Sequence, residues 1–271
     1  MNQYSSSSRL KPLSVTDLAA MKQHGEKITC LTAYDASFSA VIDKAGIDVM
    51  LVGDSLGMVI QGHDATLPVT INDMVYHARC VSKARQRAFI IADLPFMSYT
   101  TPVIAAKNAA RLLQDGGAQM VKLEGARIEI VSFLVDQGVP VCGHLGLLPQ
   151  SINQLGSYKI QGKDRADAEK MVADAHELQQ AGAGLLVLEC VPAALAKEIS
   201  VQLTIPVIGI GAGVDCDGQV LVLYDMLNIG TVKRPRFSKN FIRDAAGIEE
   251  AIVAYHQAVK QLQFPALEHS F

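Results

Sequence analysis

The chain has 271 residues, of which 49% are hydrophobic and 19% are charged, and its formal net charge is −3 at pH 7. This composition supports a large apolar core and excludes extended disorder. The small negative charge excludes the basic surface that binding to a nucleic-acid backbone requires. Barrels of alternating strands and helices commonly take about 250 residues, so we expect one domain over residues 1–271.

The N-terminal residues and the cysteines indicate a soluble, cytoplasmic protein. Residues 1–13 are polar and serine-rich, lack the apolar segment of a signal peptide, and are predicted to be a poorly ordered leader. No apolar run approaches the roughly 18 residues that span a membrane. The five cysteines lack CxxC spacing, which predicts reduced thiols.

Regular structure is predicted from residue 16 onward. Residues 16–23 are expected to form a short helix that is capped by Ser14 or Thr16 and closes one end of the domain. Short apolar runs then predict strands at residues 28–32, 49–52, 89–92, 120–123, 139–143, 185–188, 207–210 and 220–223. Amphipathic segments predict helices at residues 37–44, 71–85, 102–114, 127–137, 165–180, 193–201 and 247–263.

This alternation of strands and helices predicts an α/β fold with a parallel sheet. Eight such units indicate a closed (β/α)8 TIM barrel in preference to an open sheet. Local signals support the helix starts, because Thr70 is followed by Asp73 and Thr101 precedes Pro102.

Three stretches depart from the regular pattern. Only residues 211–218 separate the last two strands, whereas a parallel crossover normally takes a dozen or more residues, so the seventh helix is vestigial or the eighth strand is misplaced. Residues 143–163 form a long polar connection that is either a lid over the barrel mouth or a surface excursion. Residues 208–213, IGIGAG, are a weak phosphate-binding signal that close backbone packing explains equally well.

Polar side chains follow six consecutive predicted strands. They are Tyr34 and Asp35, Asp54 and Ser55, Asp93, Lys122 and Glu124, His144, and Glu189. The carboxyl ends of parallel barrel strands open on one face, where the active sites of this architecture lie. We therefore expect the ionisable members from the second to the sixth strand to converge. For Asp54, capping the next turn is an alternative.

The residue types in this set indicate a metal site beside a cation. Asp54, Asp93 and Glu124 are hard oxygen donors, and a site with carboxylates, no cysteine and little imidazole favours Mg²⁺ over zinc. Lys122 lies two residues before Glu124 and hence on the same strand face. There it can meet a substrate carboxylate or a developing enolate oxygen.

Glu189 and His144 are the candidates for proton transfer and substrate contact. Glu189 ends an apolar run, a setting that raises a carboxylate pKa and suits a general base; the alternative is a structural acid paired with lysine or arginine. His144 can hydrogen-bond a substrate oxygen or only orient its neighbours. His63, Asp64 and His77 lie off the strand ends, and His77 is predicted to lie on a helix surface.

A series of motifs runs in order from about residue 28 to the C-terminal HSF. They are TAYDASF, VMLVGDSLGMVIQGHDATLPVT, ADLPFMSY, MVKLEG, VCGHLGLLPQS, LLVLECVP, and IPVIGIGAG with DGQVLV. These motifs resemble those of the ketopantoate hydroxymethyltransferase family. The resemblance implies a barrel of the phosphoenolpyruvate/pyruvate-binding type that uses Mg²⁺ and forms a homo-oligomer, in bacterial members usually a decamer. It also implies transfer of a hydroxymethyl group from 5,10-methylenetetrahydrofolate to 3-methyl-2-oxobutanoate, the first step of pantothenate synthesis.

The resemblance also assigns roles to individual residues. It implies Asp54 and Asp93 as Mg²⁺ ligands with Glu124 close to the metal, Ser55 and Lys122 as carboxylate-binding residues, His144 as a substrate contact and Glu189 as the base. The chain departs from the family pattern at Asn228 and in KRPRF at residues 233–237. These departures concern the folate side of the site and leave the metal centre intact.

Two other functions remain compatible with the residues. A Mg²⁺-dependent lyase or mutase of the same superfamily would use the same carboxylates on an oxo acid without folate. A non-catalytic oligomeric ligand-binding protein would need the core and the site but no buried base.

Overall fold

The computed structural model describes residues 11–156, 160–230 and 234–271. Eight strands form a closed barrel in sequence order, and each strand runs parallel to its two neighbours, with β1 beside β8. The strands are β1 (Ile28–Thr32), β2 (Val49–Val52), β3 (Phe89–Asp93), β4 (Met120–Lys122), β5 (Val141–Gly146), β6 (Leu185–Glu189), β7 (Val207–Ile210) and β8 (Gly218–Leu221). The predicted (β/α)8 barrel is confirmed.

Helices surround the barrel. They are α1 (Val15–Gln23), α2 (Ala36–Lys44), α3 (Leu56–Val59), α4 (Ile71–Ala84), α5 (Pro102–Gln114), α6 (Ile128–Asp136), α7 (Ile152–Leu155), α8 (Arg165–Gln180), α9 (Ala193–Gln202), α10 (Leu223–Met226) and α11 (Ile248–Lys260). Short 3₁₀ helices lie at Pro149–Ser151 and Leu267–His269. Most predicted boundaries agree with these elements to within one residue, the predicted closing helix being too long at its end.

Local side-chain capping explains where several helices begin. Ser14 accepts a hydrogen bond from the Asp17 N–H, and Asp17 accepts one from the Ser14 N–H, which identifies Ser14 as the cap of α1. Thr70 and Asp73 form the same reciprocal pair at the start of α4, as predicted. Thr101 accepts from the Ile104 N–H at the start of α5.

Helix α1 closes the amino-terminal end of the barrel, as predicted. Leu18 and Met21 of this helix join a buried cluster inside the barrel whose other buried members are Ile28, Cys30, Val49, Leu51, Phe89, Ile91, Met120, Cys142, Leu185, Val187, Ile208, Ile210 and Val220. These strand residues alternate with neighbours that face the surrounding helices. Because apolar side chains fill this interior, the polar side chains lie at the opposite, carboxyl end of the barrel.

Strand β5 is placed differently from the prediction. It begins two residues later, because Pro140 has no N–H to give to a sheet ladder, and it continues through Gly146 because β6 pairs with it that far. His144 therefore lies inside the strand, and the connection after it starts at Leu147. The lid proposed for this connection includes residues 157–159, which lie outside the described residues.

Strand β8 begins at Gly218, two residues before the predicted start. Gly218 pairs with both Ile28 and Ile208, so barrel closure extends the strand into residues with low strand propensity. Residues 211–217 contain no helix, so the eighth strand is real and the seventh helix is missing from the crossover.

Residues 1–10 of the predicted leader lie outside the described residues. Close to them, Leu13 is attached to the barrel, because its N–H donates to the Arg87 carbonyl at 2.8 Å. All five cysteines have free thiols. Among the helices of the described residues, none combines the length and the apolar character needed to cross a membrane.

Candidate functional site

Ionisable side chains from five consecutive strands meet at the carboxyl end of the barrel. The cluster, which we call the strand-end cluster, consists of Asp54 after β2, Asp93 at the end of β3, Lys122 at the end of β4 with Glu124 beyond it, His144 in β5 and Glu189 at the end of β6. Five of the six residues are at most 4% exposed. The predicted convergence of these residues is confirmed by their contacts.

Lys122 lies between two neighbouring strand ends. Its Nζ is 3.1 Å from Asp93 Oδ1 and 3.3 Å from His144 Nδ1. Burial by itself lowers the pKa of Lys122, but Asp93, Glu124 and Asp54 reverse this effect and raise the pKa above its ordinary value. Lys122 is therefore charged at neutral pH and can bind an anionic oxygen.

The carboxylates of the cluster hold more negative charge than Lys122 neutralises. Burial raises the pKa of Asp54 to about 7, and the nearby Asp93 adds to the increase. Burial also raises the pKa of Glu124 well above its ordinary value, although Lys122 opposes this. Raised carboxylate pKa values show that the ionised forms lack full compensation in the protein alone, so the site is suited to a further cation.

Several buried polar atoms of the cluster have no hydrogen-bond partner. They are Asp93 Oδ1, Glu124 Oε1 and His144 Nε2. Of these, Asp93 Oδ1 has an ion contact with Lys122. Buried unpaired oxygens are unfavourable unless a ligand contacts them, and carboxylate oxygens are the donors that Mg²⁺ prefers. Among the described residues, no three His, Cys, Asp or Glu side chains are grouped closely enough to hold a metal ion. A hard cation such as Mg²⁺ needs only one or two protein carboxylates, because it keeps several water ligands.

His144 and Glu189 face each other across β5 and β6. His144 Nε2 is 3.4 Å from Glu189 Oε2. Burial and the adjacent Lys122 lower the pKa of His144 well below its ordinary value, so this histidine is neutral. Burial raises the pKa of Glu189 to about 7, with Lys122 acting in the opposite direction. A carboxylate with this pKa can accept and release a proton near neutral pH.

The two other strand-end residues, after β1, have separate positions. Tyr34 is buried, and its hydroxyl lies 2.8 Å from the Ser55 Oγ in a hydrogen bond. Asp35 stays out of the cluster because its carboxylate caps α2, accepting from the Phe38 N–H at 2.9 Å.

The prediction that His77 lies on a helix surface is wrong in part, since the residue is half-buried and its Nδ1 is 2.7 Å from the Tyr34 carbonyl.

The structure also decides two of the alternatives. Asp54 does not cap the next turn, because α3 begins without a side-chain cap and the Asp54 carboxylate is engaged elsewhere. The glycines of residues 208–213 serve packing: a Cβ at Gly213 would lie 2.6 Å from Ala193 Cβ, and one at Gly209 would lie 2.9 Å from Cys216 Sγ.

Sequence reasoning missed Gln150 and Tyr99. Gln150 lies in the connection after β5 and is 5% exposed, and its side-chain Nε2 donates to Asp54 Oδ2 at 2.8 Å. Its backbone N–H donates to Glu124 Oε2 at 3.0 Å, and its Oε1 accepts from the Tyr99 hydroxyl. Neither residue is charged at neutral pH, so a pattern of charged residues after strands does not identify them, although the motifs ADLPFMSY and VCGHLGLLPQS contain them.

A cavity of about 620 Å³ opens beside Glu124 and Gln150. Its wall includes Arg127 near the start of α6 and Met171 on α8. This volume is in the range of small-molecule binding sites. The strand-end cluster therefore borders a cavity that is large enough for a small-molecule ligand.

Comparisons with known proteins give consistent matches. The family described as Ketopantoate hydroxymethyltransferase matches residues 12–267. A protein of Nitrosococcus oceani named 3-methyl-2-oxobutanoate hydroxymethyltransferase is 58% identical over 261 residues, which cover 96% of this chain and 99% of that protein. A protein of Methylococcus capsulatus with the same name is 58% identical over 262 residues, covering 96% and 97%.

Solved structures with low identity share the fold. A phosphonopyruvate hydrolase in complex with oxalate and Mg²⁺ is 12% identical with a TM-score of 0.59, covering 77% of this chain and 80% of its own. A 2,3-dimethylmalate lyase, described as a PEP mutase/isocitrate lyase superfamily member, is 16% identical with a TM-score of 0.56, covering 95% and 90%. At this identity the likeness extends to the barrel alone.

Proposed function

The chain belongs to the ketopantoate hydroxymethyltransferase family, and we propose that the strand-end cluster is the active site of its reaction. The protein is a one-carbon transferase that places a hydroxymethyl group on 3-methyl-2-oxobutanoate in the first step of pantothenate synthesis. The proposal extends to 5,10-methylenetetrahydrofolate as the donor, to Mg²⁺ as the metal, and to the role of each residue in the cluster.

One observation carries the assignment of the site. A charged Lys122 and a Glu189 with a pKa of about 7 contact the same neutral His144 from opposite sides in a buried cluster. This arrangement places a cation for a developing oxyanion near a carboxylate that can take a proton. Both are needed to form an enolate from an oxo acid.

Asp54 and Asp93 would hold the Mg²⁺, and Glu124 would act close to it through water. The support is the burial of these carboxylates, the raised pKa values of Asp54 and Glu124, and the buried Glu124 Oε1, which has no hydrogen-bond partner. When bound, Mg²⁺ would supply Lewis acidity that makes the C3 hydrogen of the oxo acid more acidic.

The protein's own groups then orient the substrate and move its proton. The Ser55 hydroxyl and the Lys122 ammonium bind the substrate carboxylate, and His144 hydrogen-bonds a substrate oxygen. Glu189 removes the C3 proton, whose bonding electron pair becomes part of the enolate. Lys122 stabilises the developing negative charge, and it does so strongly because the cluster excludes most water.

The enolate carbon next forms a bond to the methylene carbon of the donor. Both carbon–nitrogen bonds of that methylene group break and leave their electron pairs on nitrogen. Water supplies the hydroxyl group, and the proton from water and the proton taken by Glu189 end on the two nitrogens. The products are 2-dehydropantoate and tetrahydrofolate.

We also propose that the protein is a cytoplasmic homo-oligomer. Large apolar side chains that are exposed on this chain support association with further copies; they include Tyr76, Phe96, Met97, Val103 and Ile104. Four of these five lie between β3 and α5 or in the first turn of α5, which places them along one connection of the barrel.

Exchange of the C3 hydrogen with deuterium in D₂O, followed by NMR on the oxo acid alone, tests the site. We expect Glu189→Gln to slow the exchange at least 100-fold, since general-base catalysis contributes about 10²–10⁴. Removal of divalent metal by a chelator should abolish the exchange in the unchanged protein. The matched control is Glu177→Gln, on the side of α8 that faces away from the cluster, which should exchange at the original rate.

Two outcomes would contradict the proposal. Unchanged exchange in Glu189→Gln would exclude Glu189 as the base. Equally fast formation of 2-dehydropantoate from the oxo acid and a different one-carbon source, with every folate absent, would exclude the assigned donor while leaving the base assignment in place.

A further inference from the structure

We propose that Gln150 is a positioning residue that orients the carboxylates of Asp54 and Glu124 for the metal. The inference rests on the metal site of the proposed function. Gln150 belongs to neither a strand end nor the strand-end cluster, yet it lies in the connection after β5 and contacts both carboxylates.

Gln150 uses its hydrogen-bonding groups fully. Its Nε2 donates to Asp54 Oδ2 at 2.8 Å and to the Leu94 carbonyl at 3.0 Å. Its Oε1 accepts from the Tyr99 hydroxyl at 2.5 Å, and its backbone N–H donates to Glu124 Oε2 at 3.0 Å. Because the side chain is 5% exposed, water cannot readily replace these partners.

These bonds fix two carboxylates that come from different strands. Asp54 follows β2 and Glu124 follows β4, and each has one oxygen held by Gln150. For Glu124 the other oxygen, Oε1, is buried and has no hydrogen-bond partner. Gln150 thus occupies one side of Glu124 and leaves the unpaired oxygen for the metal or its water. Groups that orient metal ligands in this way strongly affect metal affinity.

Tyr99 contributes to the orientation of the Gln150 amide. A phenolic hydroxyl can donate to the amide oxygen, and that contact directs the amide nitrogen to Asp54 and Leu94. Glutamine also suits the position by charge, because a glutamate there would add another carboxylate beside those of Asp54 and Glu124.

The test measures Mn²⁺ binding by electron paramagnetic resonance, which quantifies free Mn²⁺ without requiring catalysis. We expect Gln150→Leu to raise the Mn²⁺ Kd about 10- to 100-fold, the range found when groups that orient metal ligands are removed. Tyr99→Phe, which leaves every contact with the carboxylates in place, should raise the Kd by a smaller factor. The double variant should bind no more weakly than Gln150→Leu alone, because Tyr99 acts through Gln150.

The matched control is Gln219→Leu. Gln219 is another buried glutamine, and its side chain donates to the Gly213 carbonyl at 2.9 Å, away from both carboxylates. This change should lower the midpoint of thermal unfolding and leave the Mn²⁺ Kd unchanged. Comparing the two variants separates a loss of buried hydrogen bonds from a loss of ligand orientation.

The inference is overturned if Gln150→Leu binds Mn²⁺ as the unchanged protein does while losing thermal stability as Gln219→Leu does. If Gln150→Leu fails to fold, Tyr99→Phe decides, and an unchanged Kd in that variant overturns the inference. Absence of Mn²⁺ binding by the unchanged protein would overturn the metal assignment of the proposed function, and the inference with it.

Discussion

Tyr34 forms a hydrogen bond with the Ser55 hydroxyl, which we assign to the substrate carboxylate. The tyrosine is 1% exposed, and its hydroxyl lies 2.8 Å from Ser55 Oγ. Its backbone carbonyl contacts His77 on α4, and its ring packs 5.9 Å from the ring of Tyr224. Tyr34 is thus held from three directions and can hold Ser55 in turn.

We expect Tyr34→Phe to raise the KM for 3-methyl-2-oxobutanoate about fivefold with kcat nearly unchanged, because one net hydrogen bond is equivalent to about 1 kcal/mol. Steady-state kinetics at saturating folate donor would measure this. Ser55→Ala should raise KM at least as much, and the double variant no further. A KM that rises in Ser55→Ala and stays constant in Tyr34→Phe would show that Ser55 needs no such support.

The ionisable residues of the site could be identified from sequence, whereas the uncharged residues that hold them could not. A charged residue directly after an apolar strand is a local signal, and this signal led to Asp54 and Glu189. Gln150 contacts Asp54 across 96 residues of sequence and Tyr99 across 51. Glutamine and tyrosine carry no charge that marks them at such positions, so only the folded arrangement reveals them.

At the scale of elements, the backbones of β5 and β6 lie close together at the strand ends, and this contact positions Glu189. Gly146 pairs with Glu189 and has a φ of +93°, in the left-handed region that favours glycine. A Cβ at this position would overlap the Glu189 carbonyl oxygen and lie 2.7 Å from Val191 Cγ2. The close spacing of the two strands at the site therefore requires a glycine at position 146.

We predict that Gly146→Ala reduces C3 deuterium exchange at least tenfold, because a displaced Glu189 loses its alignment with the substrate. The matched control is Gly138→Ala, at a φ of +80° with no atom within 4 Å of the added Cβ. Both variants should lose about 1–2 kcal/mol of unfolding free energy from the backbone conformation. Gly146→Ala should lose more than this in urea denaturation, because its Cβ also overlaps the Glu189 carbonyl oxygen. Equal exchange rates in the two folded variants would refute a positioning role for Gly146.

Apolar runs predicted most strands, while pairing with distant strands determined the ends of the others. The strands β1, β2 and β7 have the predicted bounds: Lys27 precedes β1, Asp48 and Gly53 flank β2, and Pro206 and Gly211 flank β7. Strand β8 starts at Gly218 because neighbours on both sides supply hydrogen bonds there. Such pairing over long sequence distances outweighs local propensity.

At the scale of the whole molecule, the two ends of the barrel use charge differently. At the carboxyl end, negative charge exceeds positive charge, which suits binding of a cation and a substrate. At the other end, Asp48 is 1% exposed and its charge is compensated by Arg87 at 2.9 Å and Lys260 at 2.8 Å. Lys260 is the last residue of α11, so this network joins the C-terminal helix to β2 and β3.

The sequence predicted the barrel and its closing helices, because eight repeats of one pattern leave few other folds. It could not predict this network, because Asp48 and Lys260 are separated by most of the chain and each resembles an ordinary surface charge. The pKa of Asp48 shows the result. Burial by itself raises that pKa, but Lys260, the Thr29 N–H and Arg87 lower it below the ordinary value of 3.8.

A depressed pKa in the folded state means that the Asp48 carboxylate stabilises the fold above pH 3.8 and that this contribution disappears as the pH falls through the lower folded value. We predict that Asp48→Asn lowers the unfolding free energy by about 3 kcal/mol at pH 7, because Arg87 loses its counter-charge and Lys260 keeps only its ion pair with Glu26. The difference from the unchanged protein should shrink as the pH is lowered from about 4 toward about 2, as measured by urea denaturation at each pH. Asp64→Asn, at an exposed position, should change stability little throughout. If the unfolding free energies of Asp48→Asn and the unchanged protein differ equally at pH 7 and in acid, Asp48 stabilises the fold through packing and hydrogen bonds, and its charge contributes nothing.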